Sequence, residues 1–218
     1  MPRLFMILVL VALLAAPAAA EQTYTYSWDD PGTTYLGSFD DVEASLTADV
    51  NHPLHAGHGL LLTKANTVLD GYGTAFLASI WGLQEGDQVT ADFWRYDEAT
   101  GYPRMRLWAH YNDALGTPDN RSHDMMVNDG LAYGDNSFGA EAGWDNPRWT
   151  WTIPAGHNGL VITAAVYGEM YDEMVVDELT VVGPDHAHVQ MPDCYYEPGQ
   201  PPVAAEAATW GGVKALFE

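Results

Sequence analysis

Gln88 to Asp97 reads QVTADFWRYD, and Arg104 to Asp113 reads RMRLWAHYND. In an extended chain successive side chains leave by opposite faces, so each stretch sorts into two sets. Val89, Ala91 and Phe93 share one face of the first, while Thr90, Asp92, Trp94 and Tyr96 share the other. Met105, Leu107 and Ala109 oppose Arg104, Arg106, Trp108 and His110 in the second. An aliphatic set alternating with a polar and ring-bearing set is the pattern of a half-buried strand, not of a helix. The two stretches predict neighbouring strands that line a core with one set and turn the other outward.

The same short period runs outward in both directions. Thr23–Trp28, Val42–Leu46, Gly59–Lys64, Thr74–Trp81, Arg148–Ile153, Gly159–Tyr167 and Met174–Val182 complete nine candidate strands, separated by Gly, Pro, Asn and Asp. Turns such as GLQEGD at 82–87 and PAGHNG at 154–159 supply glycine where the backbone needs positive φ. The expectation is an all-β chain folded as a two-sheet antiparallel β-sandwich, a jelly roll. Between Asn112 and Trp144 the pattern dissolves into a polar stretch, read as one long loop.

The N-terminus, MPRLFMILVLVALLAAPAAAEQ, has the basic, apolar and small-residue order of a secretory signal peptide over residues 1–20. The expectation is an exported bacterial protein, secreted or held at the cell surface, and its apolar run is too short for a membrane span. The rest is read as one domain, 21–190, and a Pro- and Ala-rich linker with a short tail, 191–218. Against thirty Asp and Glu the chain has eight Lys and Arg, a formal net charge of −22. Such a surface repels phosphate backbones, so nucleic acid is excluded as a partner. Cys194 is the single cysteine, so no disulfide forms within the chain.

Trp94, Tyr96 and Trp108, with Arg106 and His110 beside them and Asp92 in reach, stand on what the alternation makes an outer face. Exposed rings there call for a use or a cover. A flat ring can take the C–H face of a sugar while polar neighbours bond its hydroxyls. The alternative is that the 112–144 stretch folds over this face as a second small core. Tyr167 belongs to a similar face. Trp149 and Trp151 share a parity with Ile153 that reads as core. His52, His55 and His58 at even spacing form either a metal site or a polar turn, and Pro53 with Gly57 and Gly59 rules out a shared helical face. No paired catalytic acids, nucleophile elbow, HExxH or phosphate loop occurs, so the chain is read as no enzyme.

Taken in order, TYSWDD, GLQEGDQVTADFWRYD, WTWTIPAGHNGLVITAAVYG and VVDELTVV resemble the jelly-roll carbohydrate-binding modules of the xylan- and glucan-binding type, with a galactose-binding-like sandwich. The resemblance spans about Gln22 to Val182. It implies a non-catalytic module that binds a polysaccharide or glycan. It also implies a structural Ca²⁺ where the first and last strands meet, with Asp29, Asp30 and Asp177 as ligands and Glu178 a weaker one; extracellular calcium modules work at about 10⁻⁴ to 10⁻³ M. The end of the chain, TWGGVKALFE, departs from the family and suggests a second reading: a surface or matrix protein docked to the cell through its tail.

Overall fold

The computed structural model describes residues 20–29, 35–39, 42–47, 57–65, 72–97, 104–113, 129–138, 143–168 and 170–200. Residues 1–19 of the expected signal peptide, Asp30, His52, His55 and the tail beyond Gln200 lie outside them. The described residues form fourteen strands: β1 Glu21–Tyr26, β2 Gly37–Phe39, β3 Val42–Thr47, β4 Gly59–Lys64, β5 Gly73–Trp81, β6 Gln88–Asp97, β7 Arg104–Tyr111, β8 Leu131–Asp135, β9 Gly143–Asp145, β10 Arg148–Thr152, β11 Gly159–Tyr167, β12 Glu173–Pro184, β13 His188–Met191 and β14 Cys194–Tyr196. All nine expected strands are present. No helix occurs among the described residues, and none is therefore long and apolar enough to cross a membrane.

The strands make two antiparallel seven-stranded sheets. Sheet A runs β10-β6-β12-β4-β3, with β1 on β12 and β9 on β6; sheet B runs β14-β13-β5-β11-β7-β8, with β2 on β5. Val89, Ala91 and Phe93 from sheet A meet Met105, Leu107 and Ala109 from sheet B in one core, with Tyr24, Trp28, Leu62, Ile80, Ile162, Val176 and Val181. Each large side chain fully buried in this way contributes about 1.5–3 kcal/mol of transfer free energy.

Two irregularities shape the sheets. Facing β11, β5 carries one extra residue, so Phe76 pairs Thr163 and Ala78 pairs Ile162. Leu77 and Ala78 therefore both reach the core, and the outer face is built by Thr74, Phe76, Ser79 and Trp81. On β12 the register shifts between Asp177 and Thr180, where Glu178 adopts φ 46. There Val176 pairs Leu60 of β4, while Leu179 pairs Tyr26 of β1, so β4 takes over from β1 along the same strand edge.

Two expectations are corrected. The stretch 112–144 is no single loop, for β8 and β9 form within it. Nor does the sandwich end at 190: β13 and β14 form a hairpin on the edge of sheet B, so the proposed linker cannot begin at 191. Tyr196 packs its ring 4.8 Å from that of Tyr24, and Asp193 accepts a 2.6 Å hydrogen bond from Tyr26 Oη. These contacts, made with a strand at the other end of the chain, hold a segment whose local composition resembles a linker.

Candidate functional site

The five proposed ligand residues do not form one platform. β6 belongs to sheet A and β7 to sheet B, and both direct their aliphatic sets into the shared core. Trp94 and Tyr96 consequently leave by one outer face of the sandwich, and Arg106, Trp108 and His110 by the opposite one. Parity assigns a face within a sheet but says nothing about which sheet a strand joins.

On sheet A, Trp94 pairs Asp177 across β12, and Tyr96 pairs Val175 on one side and Trp144 on the other. The Tyr96 and Trp144 rings lie 5.2 Å apart. Asp92 receives Arg148 at 3.2 Å, and burial pushes its carboxyl above the usual range against the pull of that guanidinium. Trp149, read as core, is 44% exposed because β10 is an edge strand, whereas Trp151 is buried.

The outer face of sheet B has a different character. Three rows cross it, each centred on β11: Ser79–Val161–His110, Phe76–Thr163–Trp108 and Thr74–Ala165–Arg106. Rings gather around the last two. Tyr72 stacks on Tyr167 at 5.2 Å and meets Trp108 edge-on at 5.1 Å, and Tyr133 meets Trp108 edge-on at 5.7 Å. The Arg106 guanidinium carbon sits 3.8 Å from the Phe138 ring centre, 4.8 Å from that of Tyr167 and 5.4 Å from that of Trp108. Trp108 itself is 5% exposed and donates Nε1–H to Asn136 Oδ1 at 3.0 Å. The segment 133–138 thus packs on this face, as the alternative of a covering second core anticipates.

Tyr133 owes its position to local backbone. Gly134 lies so close on β7 that a Cβ there would be 2.2 Å from the Leu107 carbonyl oxygen. The register then shifts, and Tyr133 takes φ 55, a left-handed conformation that costs a non-glycine residue about 1 kcal/mol or more. It ends 57% exposed at the rim of the ring cluster. Phe138 is placed by Arg95, an inward-facing residue of β6 that is 4% exposed. Arg95 clasps Asp145 through Nε at 2.7 Å and Nη2 at 2.8 Å, and bonds Ser137 at O and Oγ and the Met105 carbonyl. Nothing in the alternation of QVTADFWRYD announces that its arginine spans both sheets.

Polar atoms on the face of sheet B are poorly satisfied. Thr74 Oγ1, Ser79 Oγ, Thr163 Oγ1, His110 Nε2 and Arg106 Nε are buried and have no hydrogen-bond partner among the described residues. Folded proteins pair most buried polar atoms, so five orphans on one sheet face require an explanation. Burial holds His110 down to about pKa 4, so its imidazole is neutral at neutral pH, and it pushes the Tyr167 phenol up to about 12 against the pull of Arg106.

The described residues do not complete the expected calcium site. Asp29 Oδ2 accepts from Ser27 Oγ and Oδ1 from the His58 amide, both at 3.1 Å, and Asp177 Oδ1 accepts from the Glu178 amide at 2.8 Å. Both acids therefore lie where β4 succeeds β1 along β12. No three acidic, imidazole or thiol groups converge among the described residues, and Asp30 lies outside them. His58, His186 and His188 likewise form no cluster. His186 bonds Asp87 at 2.9 Å, and His188 bonds Tyr195 Oη at 2.8 Å while stacking on Trp81 at 5.1 Å.

No family model matches the sequence, and no curated protein matches it either. Solved structures do share its fold. The CBM22-1 xylan-binding domain from Paenibacillus barcinonensis Xyn10C superposes with a TM-score of 0.50 at 11% identity, over 78% of this chain and 98% of that one. The CBM35 from Cellvibrio japonicus Abf62 gives 0.41 at 15% identity, over 79% and 99%. The K1 cleaved adhesin domain of Lys-gingipain from Porphyromonas gingivalis W83 gives 0.42 at 11% identity, over 73% and 97%. At such identities the likeness speaks for architecture alone: the chain has the jelly-roll fold of the xylan-binding carbohydrate-binding module.

Proposed function

We propose that the protein is a secreted, non-catalytic carbohydrate-binding module whose ligand lies on the outer face of sheet B, entering over Tyr133. The observation that carries this reading is the ring cluster of Tyr72, Trp108 and Tyr167 around Arg106 on that face, with the exposed ring of Tyr133 at its rim. A sugar offers a C–H face to an exposed ring and hydroxyls to the polar groups around it. Of the five residues proposed from the sequence, Arg106, Trp108 and His110 stay in the site, and Trp94 and Tyr96 leave it.

The absence of chemistry is part of the proposal. Glycoside hydrolysis takes two carboxyl groups about 5–10 Å apart, and the side chains of the three rows include no Asp or Glu. A calcium ion near the β1–β12 junction belongs to the same reading, supported by Asp29 and Asp177 lying at one strand junction and requiring Asp30 as the further carboxylate.

Affinity electrophoresis through xylan, mannan and β-glucan tests the site. Retardation of the wild type is expected in at least one gel, reduced about tenfold in affinity by Tyr133→Ala, whose exposed ring supports little of the fold. Unretarded wild type in every polysaccharide, or a Tyr133→Ala protein that binds as well as wild type, refutes the assignment.

A further inference from the structure

We infer that the Arg106 subsite takes a carboxylate, so that the ligand is a largely neutral polysaccharide bearing scattered uronic acid residues. The inference rests on the sugar-binding reading of sheet B and adds the charge of the ligand to it.

With thirty acidic residues against eight basic ones, an arginine in this chain has carboxylates in excess to choose from. Arg95 pairs with Asp145, and Arg148 pairs with Asp92. Arg106 pairs with no carboxylate among the described residues. Among the described residues its one hydrogen bond, from Nη1 to Tyr167 Oη, is 3.4 Å long, and its buried Nε–H has no acceptor there. A partly buried cation lacking a counter-ion is costly, and ring faces repay only about 0.5–2 kcal/mol of that cost.

The geometry says what is missing. A guanidinium presents its donors as a planar fork that matches a carboxylate through two parallel bonds, whereas a hydroxyl accepts one bond and cancels no charge. The remainder of the surface limits how much charge the polymer can carry. At a net charge of −22 the protein repels a polymer that is anionic at every residue, but not one whose backbone is neutral.

The test uses the full chain and three polymers: a glucuronoxylan, the same preparation after its carboxyls have been reduced to alcohols, and polygalacturonate. Wild type should bind the native glucuronoxylan about tenfold or more tighter than the reduced polymer, the discrimination expected of a charge-assisted hydrogen bond. Arg106→Gln should erase that difference, and Arg106→Lys should restore part of it. Polygalacturonate should bind more weakly than glucuronoxylan. Equal affinity for native and reduced polymer overturns the inference while leaving sugar binding intact, and failure to bind any of the three, together with no retardation by xylan, mannan or β-glucan, overturns both. Tighter binding of polygalacturonate overturns the neutral backbone. If Arg106→Gln does not fold, the wild-type comparison of native and reduced polymer still decides.

Discussion

Replacing Arg95 with alanine should destabilise the domain by about 3 kcal/mol, the low end of the range for removing one partner of a buried ion pair. The low end applies because the side chain of Asp145 is 30% exposed and water can take over part of its solvation, while Arg95 is 5% exposed. The loss is not of the pair alone. The carbonyls of Met105 and Ser137 and the Ser137 hydroxyl also lose a donor, and the guanidinium leaves a void between the sheets. For a domain of 150–250 residues each kcal/mol moves Tm by about 2–4 °C, so calorimetry should show a fall of about 6–12 °C. A double-mutant cycle with Asp145→Ala separates the pair from the rest, and a coupling of about 1.5 kcal/mol or more is expected. The same substitution should free the Ser137–Phe138 segment, seen as faster amide exchange at Ser137 than global unfolding explains. A fall of less than about 2 °C, within what a surface change produces, would refute the clamp.

Acid should destabilise the fold through His110. Its folded-state value, about 4, lies below the ordinary 6.5 because burial disfavours the imidazolium, so between those values the unfolded chain binds more protons. Stability is then whole above pH 6.5 and falls as pH drops toward 4, by up to about 1.4 kcal/mol per pH unit. Urea melts from neutral pH to about pH 4.5 should show that slope, and His110→Gln should flatten it; an unchanged slope in the variant contradicts the assignment. For the calcium proposal, millimolar calcium should raise Tm, EDTA should lower it, and Asp30→Asn should abolish both responses. A melt insensitive to calcium and EDTA removes the ion from the reading.

Alternation alone was enough to read the nine longer strands, the all-β class and the aliphatic lining, because a period of two is written residue by residue along the chain. It also marked Arg106, Trp108 and His110 as facing away from the core. The five shorter strands were not legible: LAYGD and CYY are too brief to show a period, and pairing with β7 and β13 is what extends them. Trp149 had the parity of a core residue, yet it stands exposed because β10 has a neighbour on one side only. Arg95 had the inward parity of Phe93, and only the return of Ser137 and Asp145 to the same point made that tolerable.

Assignment of β6 and β7 to different sheets was decided by tertiary structure, and with it the division of five candidate residues between two faces. Side-chain direction along a strand follows from the geometry of consecutive peptide units, a local property. Sheet membership follows from hydrogen bonding with strands far away in the chain, β12 for one and β11 for the other, and so depends on contacts that no stretch of ten residues contains.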